Sequence, residues 1–446
     1  MQPFLAIPPG DSLRLVDASV PASLIDGPCP ARIDGDGVAR VDIEIRAGKV
    51  AAIAPARQAP GVDLRGAMVF PTFADLHTHL DKGHIWPRAQ NPDGSFAGAI
   101  GAVRADRGAN WHREDILRRF EFGLKCSYVH GTSAIRTHLD SYPGQAERAW
   151  SVFVELRDAW KDRIALQAVS ITTLDLFDGE HGVELANLVA RSGGVLGAVT
   201  RVSGGIHDDV PPEFLGQIDR LFGLAEERGL DLDLHVDESG ETGARALGLI
   251  ARIAIRRGFK RKLTCGHCCS LAVQPDEVIA ETIGLCADAG IAVVSLPMCN
   301  LFLQDRVPGR TPRWRGVTLL HELAAAGIPV SVASDNCRDP FYGYGDHDML
   351  EVFREATRIG HLDRPFADWP RAVAATPAAV MGVGAGLIAA GRPADLVVFR
   401  ARRFSELLSR HQADRVVLRA GRAVTESLPS YEELDPVVLA ASEAAA

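Results

Sequence analysis

The sequence predicts an α/β protein, a (β/α)₈ TIM-type barrel with a small β-domain built from both ends of the chain. Three observations predict it. Between about Ala67 and Ala385, eight short apolar runs that read as strands alternate with helical patterns. That alternation builds a parallel sheet, and a count of eight suggests closure into a barrel. Both ends of the chain instead read as short strands broken by Gly, Pro and Asp turns. Finally, the first barrel strand ends in His77-Thr-His79, and barrel active sites lie at the C-terminal ends of the strands. An open doubly wound sheet is the alternative, but no Gly-x-Gly-x-x-Gly turn follows the first strand. The expected division is therefore 1–66, 67–385 for the barrel, and 386–446.

Taken in order, Leu13–Asp17, Val41–Arg46 and Lys49–Ile53 are expected as strands of the N-terminal part. The barrel strands are expected to end at His77–His79, Ile135–Asp140, Val169–Thr172, Val199–Ser203, Leu234–Glu238, Thr264–Cys268, Val293–Pro297 and Val332–Asn336. Helical patterns run over Asp115–Tyr128, Gln145–Trp160, Glu213–Arg228, Ala244–Arg257, Asp276–Ala289 and Val317–Ala326. Asn91–Phe96 reads as a turn, and Phe96–Trp111 as a loop that packs locally or covers the site. Ala394–Phe399 and Arg415–Val424 return to strand, and the tail after Leu428 reads as frayed or as a surface helix.

The bulk numbers exclude several classes. With 446 residues the chain can bury a large core. A net charge of −9 argues against a nucleic-acid backbone as partner. No apolar run reaches membrane-spanning length, so no membrane partner is expected. No basic segment followed by a long apolar one opens the chain, so the expected location is cytoplasmic. The eight cysteines show no disulfide-scaffold spacing and are expected as buried apolar residues. Homo-oligomers are common among barrel enzymes, and the sequence sets no subunit number.

On a strand, side chains two apart share a face, so His77 and His79 can hold one cation together. Later strand ends add His235 and Glu238, His267, and Asp335 with Asn336. Three imidazoles and a carboxylate suit Zn²⁺ or Fe²⁺ with a position left open for water. A metal lowers the pKa of its water toward neutrality, giving hydroxide at working pH. Any one of these histidines alone reads as a hydrogen-bonded core or surface residue; four strand ends with suitable groups point to a site.

The order H-x-H, His, His, Asp along eight strands resembles the amidohydrolase superfamily. The strings His77-Thr-His79-Leu-Asp81, Arg136-Thr-His138-Leu-Asp140, His235-Val-Asp-Glu238, Gly266-His267 and Asp335–Tyr342 resemble its cytosine deaminase branch. Gly386–Val398 is similar to the superfamily's return into a small β-sandwich. The resemblance implies that His77, His79, His235 and Asp335 bind one divalent metal ion. It implies that His267 orients or polarises water and substrate, and that Glu238 shuttles a proton to a ring nitrogen. No lysine is assigned as a carbamylated bridge, so one metal is expected rather than two. The implied reaction is hydrolysis of a C–N bond of a small N-heterocycle by metal-bound hydroxide, with release of ammonia.

The chain also departs from that branch. Asn336 stands where a second aspartate follows the metal ligand, Phe341 stands where the lid is tryptophan, and Thr173 is nearest to the glutamine that reads a pyrimidine amide. Losing a buried amide reader argues against cytosine as the substrate. Lys82 either reads a substrate carbonyl or carboxylate or joins Asp81 and Arg88 in an ion-pair cluster. Trp86 either walls the pocket or packs its loop. Arg136, His138 and Asp140 are expected as a hydrogen-bond cluster near the site.

Alternatives within the superfamily are release of an alkylamine from a triazine-like ring and opening of a cyclic amide. The cytidine-deaminase type of zinc site needs H-x-E followed by P-C-x-x-C. His112-Arg-Glu114 and Cys265–Cys268 imitate its pieces but lie far apart, with Thr264 in place of the proline. A non-catalytic barrel would be expected to have lost ligands, whereas the full set is present.

Overall fold

A computed structural model describes residues 4–57, 59–200, 213–411 and 414–438. The fold is mixed α/β. The N-terminal strands are β1 (Ser12–Pro21), β2 (Val38–Arg46), β3 (Lys49–Pro55), β4 (Val62–Asp63) and β5 (Met68–Pro71). Seven strands follow that alternate with helices: β6 (Phe73–Thr78), β7 (Thr132–Asp140), β8 (Ala165–Ile171), β9 (Leu232–Val236), β10 (Leu263–His267), β11 (Ile291–Ser295) and β12 (Val330–Val332). The chain ends with β13 (Leu396–Phe399), β14 (Arg415–Arg419) and β15 (Arg422–Ala423).

Both ends of the chain meet in one eight-stranded sheet of order β15-β14-β13-β5-β1-β2-β3, with β4 beside β1. The terminal strands thus form a single hydrogen-bonded sheet rather than two separately paired ones. β5 and β13 join the two ends antiparallel, with Val69 opposite Val398 and Phe70 opposite Val397. Alternation supplies its core: Leu13 and Leu15 of β1, Ile43 and Ile45 of β2, and Leu396 and Val398 of β13 fall in one buried cluster.

The central strands form two further ladders, β6-β7-β8 and the parallel β9-β10-β11-β12. The expected single continuous eight-stranded barrel ladder is therefore not what the described hydrogen bonds form. The fourth expected strand, Val199–Ser203, is the break: Arg201–Ser203 lie outside the described residues. Before them, single parallel bridges join Val169 to Val195, Leu196 to Leu232 and Val199 to His235. Gly197 explains the tightness of this segment, since a Cβ there would collide with the Asp233 carbonyl and the Val169 side chain. A further parallel bridge joins Thr78 to Asp335.

The described residues divide into two compact units, one within 1–75, 125–134 and 348–428 and one within 76–124, 135–347 and 429–446. Every candidate site residue falls in the second. Among the described residues no helix is long and apolar enough to cross a membrane.

Candidate metal and catalytic site

The Phe73–Thr78 strand carries His77 and His79 to one end of its sheet, and three hydrogen bonds and a close glycine contact set the rest of the group around them. The Asp335 N–H donates to the His77 carbonyl at 2.8 Å, and the Thr78 hydroxyl donates to the Asp335 carbonyl at 2.9 Å. Asp335 holds a left-handed φ of 60°, a strained conformation for a residue other than glycine. Gly266 precedes His267, and a Cβ there would lie 3.0 Å from Cε1 of His77. A glycine at this place lets the imidazole approach the β10 backbone closely. The His79 Nδ1–H donates to the His138 carbonyl at 3.2 Å, which leaves Nε2 as its lone-pair nitrogen.

The result is a convergent donor set. Nε2 of His77 is 3.1 Å from Nε2 of His235, which is 3.4 Å from Nε2 of His79. Oδ1 of Asp335 lies 3.2 Å from Nε2 of His79 and 3.6 Å from Nε2 of His77. All four side chains are buried. Burial, reinforced by the neighbouring imidazoles, pushes the basicity of His77 and His235 well below the usual histidine range. Neutral imidazoles are the form that ligates metal. Burial works to raise Asp335, but the adjacent His79 and His267 outweigh it and hold the carboxyl below its usual range. Neither Asp335 carboxylate oxygen has a hydrogen-bond partner among the described residues. A buried, unsatisfied carboxylate facing three lone-pair nitrogens is costly unless a cation stands between them. The donor set therefore fits one divalent ion of the Zn²⁺ or Fe²⁺ kind.

Glu238 and His267 flank this group. Nδ1 of His267 is 3.3 Å from Oε1 of Glu238. Asn300, on the short helix Pro297–Leu303, donates its amide N–H to Nδ1 of His267 at 3.0 Å and faces Oε1 of Glu238 at 3.3 Å. Accepting at Nδ1 puts the His267 ring proton on Nε2. Gln304 donates to the Glu238 carbonyl at 3.2 Å. The group opens onto a cavity of about 130 Å³, whose walls include Thr173, Asn336, Phe341 and Lys82.

A model of the amidohydrolase family matches residues 122–425. A pterin deaminase of Rhizobium rhizogenes is 52% identical over 441 residues, covering 98% of this chain and 99% of that protein. The N-isopropylammelide isopropyl amidohydrolase of a Pseudomonas species is 26% identical over 353 residues, 76% of this chain and 81% of that one. Among solved structures, 5-methylcytosine deaminase from Klebsiella pneumoniae, liganded with 5-fluorocytosine, superposes with a TM-score of 0.77 at 24% identity. That match covers 94% of this chain and 98% of the other.

The chain belongs to the amidohydrolase family.

This amidohydrolase is a hydrolase of carbon–nitrogen bonds of the deaminase type, and its sequence-predicted residues fall as follows. His77, His79, His235 and Asp335 come together, with Glu238 and His267 beside them. Lys82 pairs with Asp140 at 3.2 Å and lies over the Phe341 ring at 5.1 Å. Arg88 stands apart from it, bound to Asp106 and Asp115. Asn336 donates to Asp339 at 2.6 Å, and Asp339 also receives the Phe341 N–H at 2.8 Å, so both wall residues hang on one carboxylate. Burial pushes that Asp339 carboxyl up to about 7. Trp86 is not among the described lining residues; it packs on Gly343, where a Cβ would lie 3.2 Å from its ring. Arg136 pairs with Asp233 at 2.9 Å, and His138 stacks on His77 with centroids 3.8 Å apart.

Two features were not anticipated. Asn300 carries no charge and sits on a helix with no motif, so only the fold reveals it. The Phe96–Trp111 stretch is not a loop but the helix Phe96–Asn110, capped by the Ser95 hydroxyl. Phe96, Ile100, Val103, Arg104 and Arg107 line the cavity from one helical face. Their spacing of four, three, one and three is a helical period that could have been read. Among the described residues no metal-ligating group includes Cys265 or Cys268. Burial raises both thiols well above their usual range, against a cytidine-deaminase type of zinc site.

Proposed function

We propose that this protein is a metal-dependent deaminase of a pterin-like amino-heterocycle, replacing a ring C–NH₂ by C=O with water and releasing ammonia. The observation that carries the reading is the orphaned Asp335 carboxylate facing three Nε2 atoms at the floor of the cavity. The full-length identity to a pterin deaminase supports the ring class. Thr173 in place of a glutamine, and Asn336 in place of an aspartate, support a ring other than cytosine.

His77, His79, His235 and Asp335 would hold one divalent ion, Zn²⁺ or Fe²⁺. When bound, such an ion supplies an acidified water as nucleophile near neutral pH. Asp335 would take up a proton from the water that attacks the amino-bearing carbon. Glu238 delivers a proton to the adjacent ring nitrogen, making the carbon electrophilic, and the water proton taken up by Asp335 then passes to the departing amine. The His267 Nε2–H, aimed by Asn300, stabilises the oxygen at the attacked carbon. Phe341 and Phe96, in edge-to-face contact with ring centroids 5.6 Å apart, offer one aromatic wall to a planar ring. The wider architecture fits this role: the bridges at Val195–Val199 and at Thr78–Asp335 support closure of the two central ladders into one (β/α)₈ barrel. We place the protein in the cytoplasm, acting on a small molecule.

The test is product analysis on protein loaded with stoichiometric metal. Pterins should yield ammonia and the corresponding oxo ring. Release of alkylamine or a ring-opened carboxylate from another heterocycle, with no ammonia from any pterin, would overturn the proposal.

A further inference from the structure

A second buried group of metal-binding side chains lies outside the cavity walls. His84, Cys337 and His347 each offer a donor atom within 4.8 Å of the others, and all three are buried. The two Nε2 atoms are 3.1 Å apart, with ring planes inclined at 50°. That separation equals the one between His77 and His235 in the first group. Both histidines hold left-handed backbone, with φ of 67° and 55°, a cost that persists only where surrounding structure enforces it. The backbone is built around the cluster: the His84 N–H donates to the Cys337 carbonyl at 3.0 Å, and the Trp86 N–H to the Arg338 carbonyl at 2.8 Å. Gly123 completes it, because a Cβ there would stand 3.0 Å from Nε2 of His347.

We propose that His84, Cys337 and His347 bind one Zn²⁺ as a structural site, distinct from the catalytic group, which clamps the loop after β6 to the loop after β12. Two imidazoles and a thiolate are nitrogen and sulfur donors of the kinds zinc takes, and a water would complete the tetrahedron. Binding releases the Cys337 thiol proton to solvent. The clamped loops carry Lys82 on one side and Asn336 and Phe341 on the other, so the ion would brace the cavity wall. This proposal does not depend on which ring the enzyme deaminates.

Cobalt substitution decides it. The four catalytic ligands offer only nitrogen and oxygen donors, so a thiolate-to-cobalt charge-transfer band in the near ultraviolet that is lost in Cys337→Ser reports the second site. The full-length protein, stripped and reloaded with Co²⁺, should show that band and bind about two ions per chain. Cys337→Ser should abolish the band, and His347→Asn should lower the content to about one ion. Should either variant fail to fold, the spectrum of the unsubstituted protein still decides. A content of about one ion with no band under excess Co²⁺, or a band that survives in Cys337→Ser, would overturn the proposal and leave a hydrogen-bonded histidine pair.

Discussion

Gly266 shows how much of this site rests on single residues. Its missing side chain is the space that the His77 ring occupies. Gly266→Ala should displace that ligand and weaken catalytic metal binding at least ~10-fold, the lower end of the loss seen when a ligand's support is removed; competition against a chelator measures it. Glu238→Gln should keep the metal and lower kcat by ~10²–10⁴-fold, the usual worth of a positioned proton carrier. Asn300→Ala should also keep the metal, lower kcat by roughly 10–100-fold and shift the pH profile of kcat/KM, because it releases the His267 tautomer. The ligands were legible because each lies on a strand end and only a few residue types bind metal. Asn300 was not, since its partners His267 and Glu238 stand 33 and 62 residues away and an asparagine on an apolar helix carries no pattern.

Elements are governed by their ends. The helix Met349–Gly360 begins at Asp348, whose carboxylate caps the Leu350 N–H at 3.0 Å and pairs with Arg415 at 2.5 Å. Burial works to raise this carboxyl, but Arg415 and His130 prevail and hold it well below the usual carboxylate range. A depressed folded pKa contributes stability above the unfolded value, near 4, that is lost as pH falls through the folded value. Asp348→Asn should therefore cost about 3–5 kcal/mol at neutral pH, the scale for breaking a buried pair. Denaturant melts across the acid range should also show a flatter pH dependence for that variant. Helical periods marked six helices to within a few residues, for example Asp276–Ala289, but missed others such as Glu180–Arg191 and Met349–Gly360. The fourth expected strand was less legible, because Gly193, Gly194 and Gly197 weaken strand propensity and pairing there reduces to single bridges. The cavity helix Phe96–Asn110 was obscured by its many Ala and Gly residues, which mute the contrast between its faces.

At the scale of the molecule, a bound metal is part of the stability of the fold. Protein stripped by chelation should melt at lower temperature and recover on adding Zn²⁺, by about 2.7 kcal/mol at free metal one hundred times Kd; calorimetry with and without chelator measures it. Alternation of strand and helix, and short strands at both ends, made the architecture readable. Which strands join into which sheet was not readable, because pairing such as β5 with β13 links residues more than three hundred positions apart. The cysteines hold one more consequence. None forms a disulfide, and seven of the eight are buried while Cys29 is partly exposed. A thiol-labelling reagent would thus meet almost nothing in the folded chain and everything once it opens. The rate at which labels accumulate would report how often this protein breathes, with no dye or engineered probe added.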